Sequence, residues 1–232
     1  MTINPKLPDF NETVSLNESG AFAEGGNRLC FVHPQDARLC IKVSKPGAVK
    51  KARDAKPLYK RARSLSAFDD NMGEFKAYHQ SAIRHPRVSQ ERLWAHLPRC
   101  YGWQNTSLGL GLVSDFYQNE NGEAAASLEH LLINTDLLAS YKKKLLEFSD
   151  YLRETGVLTK NILPHNLVLA NDGRLKLIDG LGRLGFIPTV EWSEKARRNY
   201  IERRIKKMFL RVEWEFNGRE RPWNEVEKKG RL

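Results

Sequence analysis

Four polar side chains sit where their neighbours make them conspicuous. Lys42 interrupts the apolar run LCIKV (39–43), and Glu74 lies near the start of a helical pattern. Asn166 directly precedes LVLA (167–170), and Asp179 ends LKLI (175–178) just ahead of Gly180. An ammonium inside an apolar strand either faces water or is held by an opposite charge, which Glu74 can supply. Asn166 and Asp179 offer hard oxygen ligands of the kind magnesium takes. Upstream, Gly25 and Gly26 in AEGGN (23–27) allow a tight turn whose backbone N–H groups can face phosphates. Singly, each residue has an ordinary explanation, because Asn and Asp at strand ends are common turn formers. Their order is what points to a magnesium nucleotide: a Gly-rich turn, a strand Lys, a helical Glu, then Asn and Asp bracketing one hairpin. In that chemistry Lys42 neutralises the α- and β-phosphates and Glu74 orients it.

The elements that must position these groups are legible from pattern. RLCFVHPQDARLCIKV (28–43) reads as a β-hairpin turning at His-Pro-Gln-Asp, and 97–103 with 108–117 reads as a second pair of strands. Phe75, Tyr78 and Ala82 recur at helical spacing and predict one helix over 71–83. The segment 45–63 contains Pro46, Gly47 and Pro57 and reads as loop, at most partly helical. In 137–156, Leu138, Tyr141, Leu145, Phe148 and Leu152 form an apolar stripe with Gly156 as a stop. Asn171-Asp172-Gly173 marks a second hairpin between 167 and 179. A last helix is predicted over 193–212, with Tyr200, Ile201, Ile205, Met208, Phe209 and Val212 on its apolar face. Strands dominate the first half and helices the second, so the fold class is α+β in two lobes, 1–117 and 118–232.

Composition sets the outer limits. With 232 residues, 41% hydrophobic and 28% charged, the chain can bury a real core. It has no apolar run long enough to span a bilayer. Its first sixteen residues lack the basic start and apolar core of a secretory signal. Three cysteines, Cys30, Cys40 and Cys100, do not make a disulfide framework, so a cytoplasmic protein with reduced thiols is expected. The net charge of +10 is concentrated in 45–63 and 195–211 and favours anionic partners. A solvated loop and the wet face of a helix are the plain alternative. An anionic membrane surface or a sugar phosphate suits this charge. Nucleic acid is disfavoured, because basic residues are not interleaved with aromatic ones.

The order of these motifs resembles the protein-kinase fold, in which a Gly-rich loop, a strand Lys, a helical Glu, a catalytic loop and an Asp-Gly metal motif follow one another. Within that superfamily the chain is similar to the YrbL family of bacterial PhoP regulatory network proteins. The segments carrying the likeness are 25–43, VLTKNILPHNLVL (157–169) and LGRLGFIPTVEWSEKARR (181–198). The resemblance implies a bilobal kinase-like fold with a small antiparallel-sheet N-lobe and a reduced helical C-lobe, with ATP and Mg2+ as cofactors. Gly25 then takes the second glycine position of the phosphate loop, with Ala23 and Arg28 where the first and third would stand. Cys30 falls where a small residue covers adenine, and Ser114, Asp115 and Phe116 are adenine neighbours. Ser127 to Leu132 resembles the helix that opens the second lobe. Asn166 and Asp179 match the metal ligands.

The chain departs from the kinase pattern in the catalytic loop. Five residues before Asn166, where a kinase has its catalytic Asp, stands Asn161, and the lysine two beyond is replaced by Leu163. An amide orients a hydroxyl but does not accept its proton at neutral pH. His165 or Asp179 is the available substitute base, with His165 expected to pack against its loop instead. A positioned base contributes about 10²–10⁴-fold, so its loss alone leaves room for a slow phosphotransferase with an unknown anionic or protein acceptor. The alternatives are a nucleotide-binding pseudokinase and a basic docking module that binds no nucleotide.

Overall fold

A computed structural model describes residues 7–134, 138–183 and 189–229. The chain divides into two compact units, Met1–Lys76 with Arg99–Phe116, and Ala77–Pro98 with Tyr117–Leu232.

The first unit is built on a five-stranded antiparallel sheet. Its strands are β1 (Ala23–Glu24), β2 (Arg28–His33), β3 (Asp36–Ser44), β4 (Cys100–Thr106) and β5 (Gly109–Asp115), in the spatial order β1-β2-β3-β5-β4. The period-two pattern decides which face each side chain takes. Leu29, Phe31, Leu39, Ile41, Val43 and Val113 point to one side and form the core with Val14. Arg28, Cys30, Cys40, Lys42, Leu112 and Ser114 alternate to the other side. Gly111 is fixed by packing, since a Cβ there would collide with Ile41 Cγ2. The basic segment is more helical than its Pro and Gly content suggests, forming α1 (Ala48–Asp54) and α2 (Leu58–Arg61).

The helix predicted over 71–83 is broken. Helix α3 (Asp70–Ala77) stops at Ala77 and a separate turn, α4 (Ser81–Arg84), follows. The cause is tertiary. Gln80 is buried in extended backbone so that its side chain accepts from the Leu158 N–H at 2.6 Å. The Tyr78 hydroxyl donates to the Pro98 carbonyl at 3.0 Å.

The second unit continues with α5 (Gln90–Leu93), α6 (Leu128–Asn134) and α7 (Leu138–Thr155). A two-stranded antiparallel hairpin, β6 (Leu167–Leu169) and β7 (Leu175–Leu177), is followed by α8 (Thr189–Trp192), α9 (Glu194–Phe216) and α10 (Trp223–Lys229). Of the α7 stripe, Tyr141, Leu145, Phe148 and Leu152 are buried, and Gly156 ends the helix with φ +68°. Leu137, Leu184, Gly185, Phe186, Ile187 and Pro188 lie outside the described residues.

Helix α9 buries Tyr200, Ile201, Ile205, Met208 and Val212 as its period requires. It runs a full turn past the predicted end. Buried Glu215 holds Arg211 at 3.0 Å and also pairs with Arg219, which extends the helix and its C-terminal turn. Arg219 also pairs with Glu129 of α6. The Arg211 guanidinium lies 4.2 Å and 4.8 Å from the ring centres of Trp214 and Trp223, holding α10 to α9. Among the described residues no helix is long and apolar enough to cross a membrane.

Candidate nucleotide and metal site

In the first unit, β3 puts Lys42 on the sheet face opposite the hydrophobic core. Its ammonium meets Glu74 Oε1 at 2.6 Å, and both residues are buried, 7% and 5% exposed. The other carboxylate oxygen of Glu74 takes Arg28 Nη1 at 2.5 Å. Asn71, one helical turn before Glu74 on α3, donates to the Lys42 carbonyl at 2.7 Å and accepts from Arg28 at 3.3 Å. The Lys–Glu pairing read from the sequence is therefore made, within a larger polar cluster. Arg28 and Asn71 were not recognised as members of it. The signal for Asn71 was its (i, i+3) spacing from Glu74, which places both on one helix face.

The Gly25-Gly26 turn is the tip of the β1–β2 hairpin, closed by the Gly25 N–H donating to the Arg28 carbonyl at 2.9 Å. Neither glycine has positive φ. A Cβ at Gly26 would meet nothing within 4 Å, and one at Gly25 only the Arg28 carbonyl at 3.8 Å. The fold itself does not demand glycine at either position.

The three cysteines are free thiols, and register brings them near Lys42. Cys30 is opposite Lys42, Cys40 is opposite Ser114, and Ser114 is opposite Cys100. A thiol–thiol hydrogen bond with Cys40 pulls Cys30 down to about 7, with Lys42 and Arg28 reinforcing the shift against the cost of burial. The same bond and burial push Cys40 up.

Residues 114–116 are more committed to the protein than the sequence suggests. Ser114 is buried. The Asp115 carboxylate accepts from the Arg99 N–H at 2.8 Å and the Tyr101 hydroxyl at 2.7 Å. The Phe116 N–H donates to the Arg38 carbonyl at 2.7 Å, while its ring packs on Phe22 with centres 4.6 Å apart.

In the second unit, Asn166 and Asp179 flank the β6–β7 ladder. The Ile178 N–H donates to the Asn166 carbonyl at 2.9 Å, so the two residues emerge at the same end of the hairpin. Asp179 Oδ1 accepts from the Gly180 N–H at 2.6 Å. Gly180 has φ +86°, and a Cβ there would overlap the Asn161 carbonyl oxygen and lie 3.5 Å from Asn166 Nδ2. Asn161, Asn166 and Asp179 thus share one neighbourhood, and Gly180 lets their loops approach. The loops are stitched by the Lys160 N–H to Gly180 at 2.6 Å and the Gly182 N–H to Leu158 at 2.8 Å. Tyr200 of α9 donates to the Thr159 carbonyl at 2.9 Å, steadying the segment before Asn161.

Asn161 is exposed. His165, expected to pack against its loop, is exposed, with Nδ1 4.0 Å from Glu129. Among the described residues no group of three His, Cys, Asp or Glu side chains could hold a metal.

Comparisons with known proteins show the family. The family model described as PhoP regulatory network protein YrbL matches residues 14–213. An uncharacterized YrbL protein of Escherichia coli K12 is 24% identical over 189 residues, covering 78% of this chain and 79% of its own. A Shigella flexneri YrbL protein gives the same figures. A probable inactive serine/threonine-protein kinase of Dictyostelium discoideum is 28% identical over 96 residues, 40% of this chain and 8% of that protein.

Proposed function

The chain belongs to the YrbL family, and from that premise we propose that it has a kinase-like bilobal fold, binds Mg-ATP, and acts as an atypical ATP-dependent phosphotransferase in the cytoplasm. The observation that carries this reading is the buried Lys42–Glu74 pair at 2.6 Å on β3 and the helix after it. Holding an ammonium and a carboxylate out of water costs several kcal/mol per ion before attraction offsets it, and apolar packing would serve stability as well. The sheet order β1-β2-β3-β5-β4, the bare Gly25-Gly26 tip and the likeness to a kinase-related protein support the same reading.

The residues present fit the group. Lys42, oriented by Glu74, neutralises phosphate charge, and the Gly25-Gly26 turn lets phosphate approach the main chain. Cys30, on the Lys42 face, would contact a bound adenine, as would Ser114, Asp115 and Phe116. Asn166 and Asp179 would supply oxygen ligands to magnesium. Bound Mg-ATP supplies the transferable phosphoryl group and the cation that offsets its charge. Asn161 orients an acceptor hydroxyl through its amide. Deprotonation falls to Asp179, since exposed His165 is turned toward Glu129. The acceptor is an anionic molecule or a protein. Asn161 and the inactive-kinase relative favour a second reading, a pseudokinase that binds nucleotide without transferring phosphate.

Thermal shift with Mg-ATP tests binding. Wild type gains stability, whereas Lys42→Met and Asp179→Ala, still folded, gain none. An equal shift in all three proteins overturns the binding reading. Mass spectrometry of ATP turnover then separates the two readings. Turnover lost in Asp179→Ala marks a transferase, and wild-type turnover no faster than that of Asp179→Ala marks a pseudokinase.

A further inference from the structure

The basic segment is more than a solvated loop. Residues 45–63 carry eight Lys or Arg and one acidic residue, Asp54, which is paired with Arg53 at 3.0 Å. Among these cations stand three large apolar side chains turned to water: Leu58, Tyr59 and Leu65, exposed by 79%, 76% and 50%. Pro57 starts α2 so that Leu58 and Tyr59 occupy its first turn. The Lys60 ammonium lies 5.6 Å over the Tyr59 ring, and Arg61 Nε donates to the Lys56 carbonyl at 2.6 Å. Helix α2 buries no residue, and α1 buries only Ala48.

A segment selected only for solubility has no use for three exposed apolar side chains within eight residues. Cations alone would suit any polyanion, and Tyr59 could stack on a base. Leu58 and Leu65 gain nothing from a phosphate backbone. A surface that is negative outside and hydrocarbon a few ångströms deeper satisfies both sets of groups together. We infer that residues 45–68 form a peripheral docking surface for a bilayer containing anionic phospholipid, with Leu58, Tyr59 and Leu65 entering the acyl boundary and the Lys and Arg side chains lying among the headgroups. This surface is independent of the nucleotide residues and stands whether or not the chain transfers phosphate.

The test is flotation of the full chain with phosphatidylcholine vesicles, with or without phosphatidylglycerol, at low and high salt. The chain floats with the anionic vesicles only, and salt weakens the binding. Each Lys or Arg in the segment changed to Gln lowers affinity by about fivefold. The double variant Leu58→Ser/Tyr59→Ser keeps every charge and loses about tenfold or more. Hydrogen exchange of wild type, which needs no variant, slows over 54–67 when anionic vesicles are added. Three results overturn the inference. One is a double variant that binds as wild type does. Another is vesicle binding without protection of 54–67. The third is a wild type that ignores vesicles but binds single-stranded RNA or an acidic peptide.

Discussion

Glu74 serves two cations at once, so its removal is felt by both. Glu74→Ala leaves Lys42 and Arg28 in a buried setting without this carboxylate. A loss of about 3–5 kcal/mol is expected, read as a lowered midpoint in urea unfolding. The thiol beside this cluster gives a second readout. With its ionisation drawn down to about 7 by the bond with Cys40, Cys30 is largely thiolate just above neutrality. Its iodoacetamide labelling, followed by peptide mass spectrometry, rises with pH to half its plateau near pH 7. Lys42→Met moves that midpoint upward, because the ammonium no longer favours the thiolate. Lys42, Glu74, Asn166 and Asp179 could be singled out in the sequence because each is a polar residue in an apolar context. Arg28 could not, since a basic residue at the edge of a Gly-rich turn looks like an ordinary solvent-facing one. Asp115 was named only through the family resemblance, and nothing in the sequence foretold that its carboxylate accepts from Arg99 and Tyr101.

The elements hold their functional side chains through close backbone approaches. Gly180 carries the one between the Asn161 loop and the Asp179 turn. Gly180→Ala places a methyl group against the Asn161 carbonyl and requires left-handed backbone of a residue that disfavours it. The conformational cost alone is about 1–2 kcal/mol. The expected outcome is a lowered melting temperature and a reduced Mg-ATP shift. Gly26→Ala, with open space and ordinary φ, leaves melting in the absence of ligand unchanged. Strands and long helices were legible because alternation and the 3.6-residue period survive in the sequence, as in 28–43 and in the buried face of α9. The end of α3 was not, because the tertiary bond from Gln80 to Leu158 overrides a local period that continues through Ala82. The extra turn of α9 and the whole of α10 escaped for a similar reason. They rest on Glu215, Arg211 and the Trp214–Trp223 pair, not on an apolar stripe.

At the scale of the whole molecule, one source of acid sensitivity lies in the helical unit. His96 is buried between Phe148 and Tyr151, and its Nδ1–H donates to the Leu175 carbonyl at 2.7 Å. Burial draws its ionisation from 6.5 down to about 4. The unfolded chain therefore binds a proton more readily than the folded one between those values. The stabilisation is complete above pH 6.5 and is lost as pH falls toward 4, by up to about 3 kcal/mol. Melting temperatures should fall across that window in wild type, and His96→Gln should flatten the slope. The clamp at the far end of α9 has a practical consequence. The span matched by the family model stops at residue 213, yet Glu215, Arg219 and Trp223 all lie downstream of it. A chain trimmed to the shared region would strip Glu129 of its guanidinium and Arg211 of its carboxylate, so the borrowed boundary is the wrong place to cut.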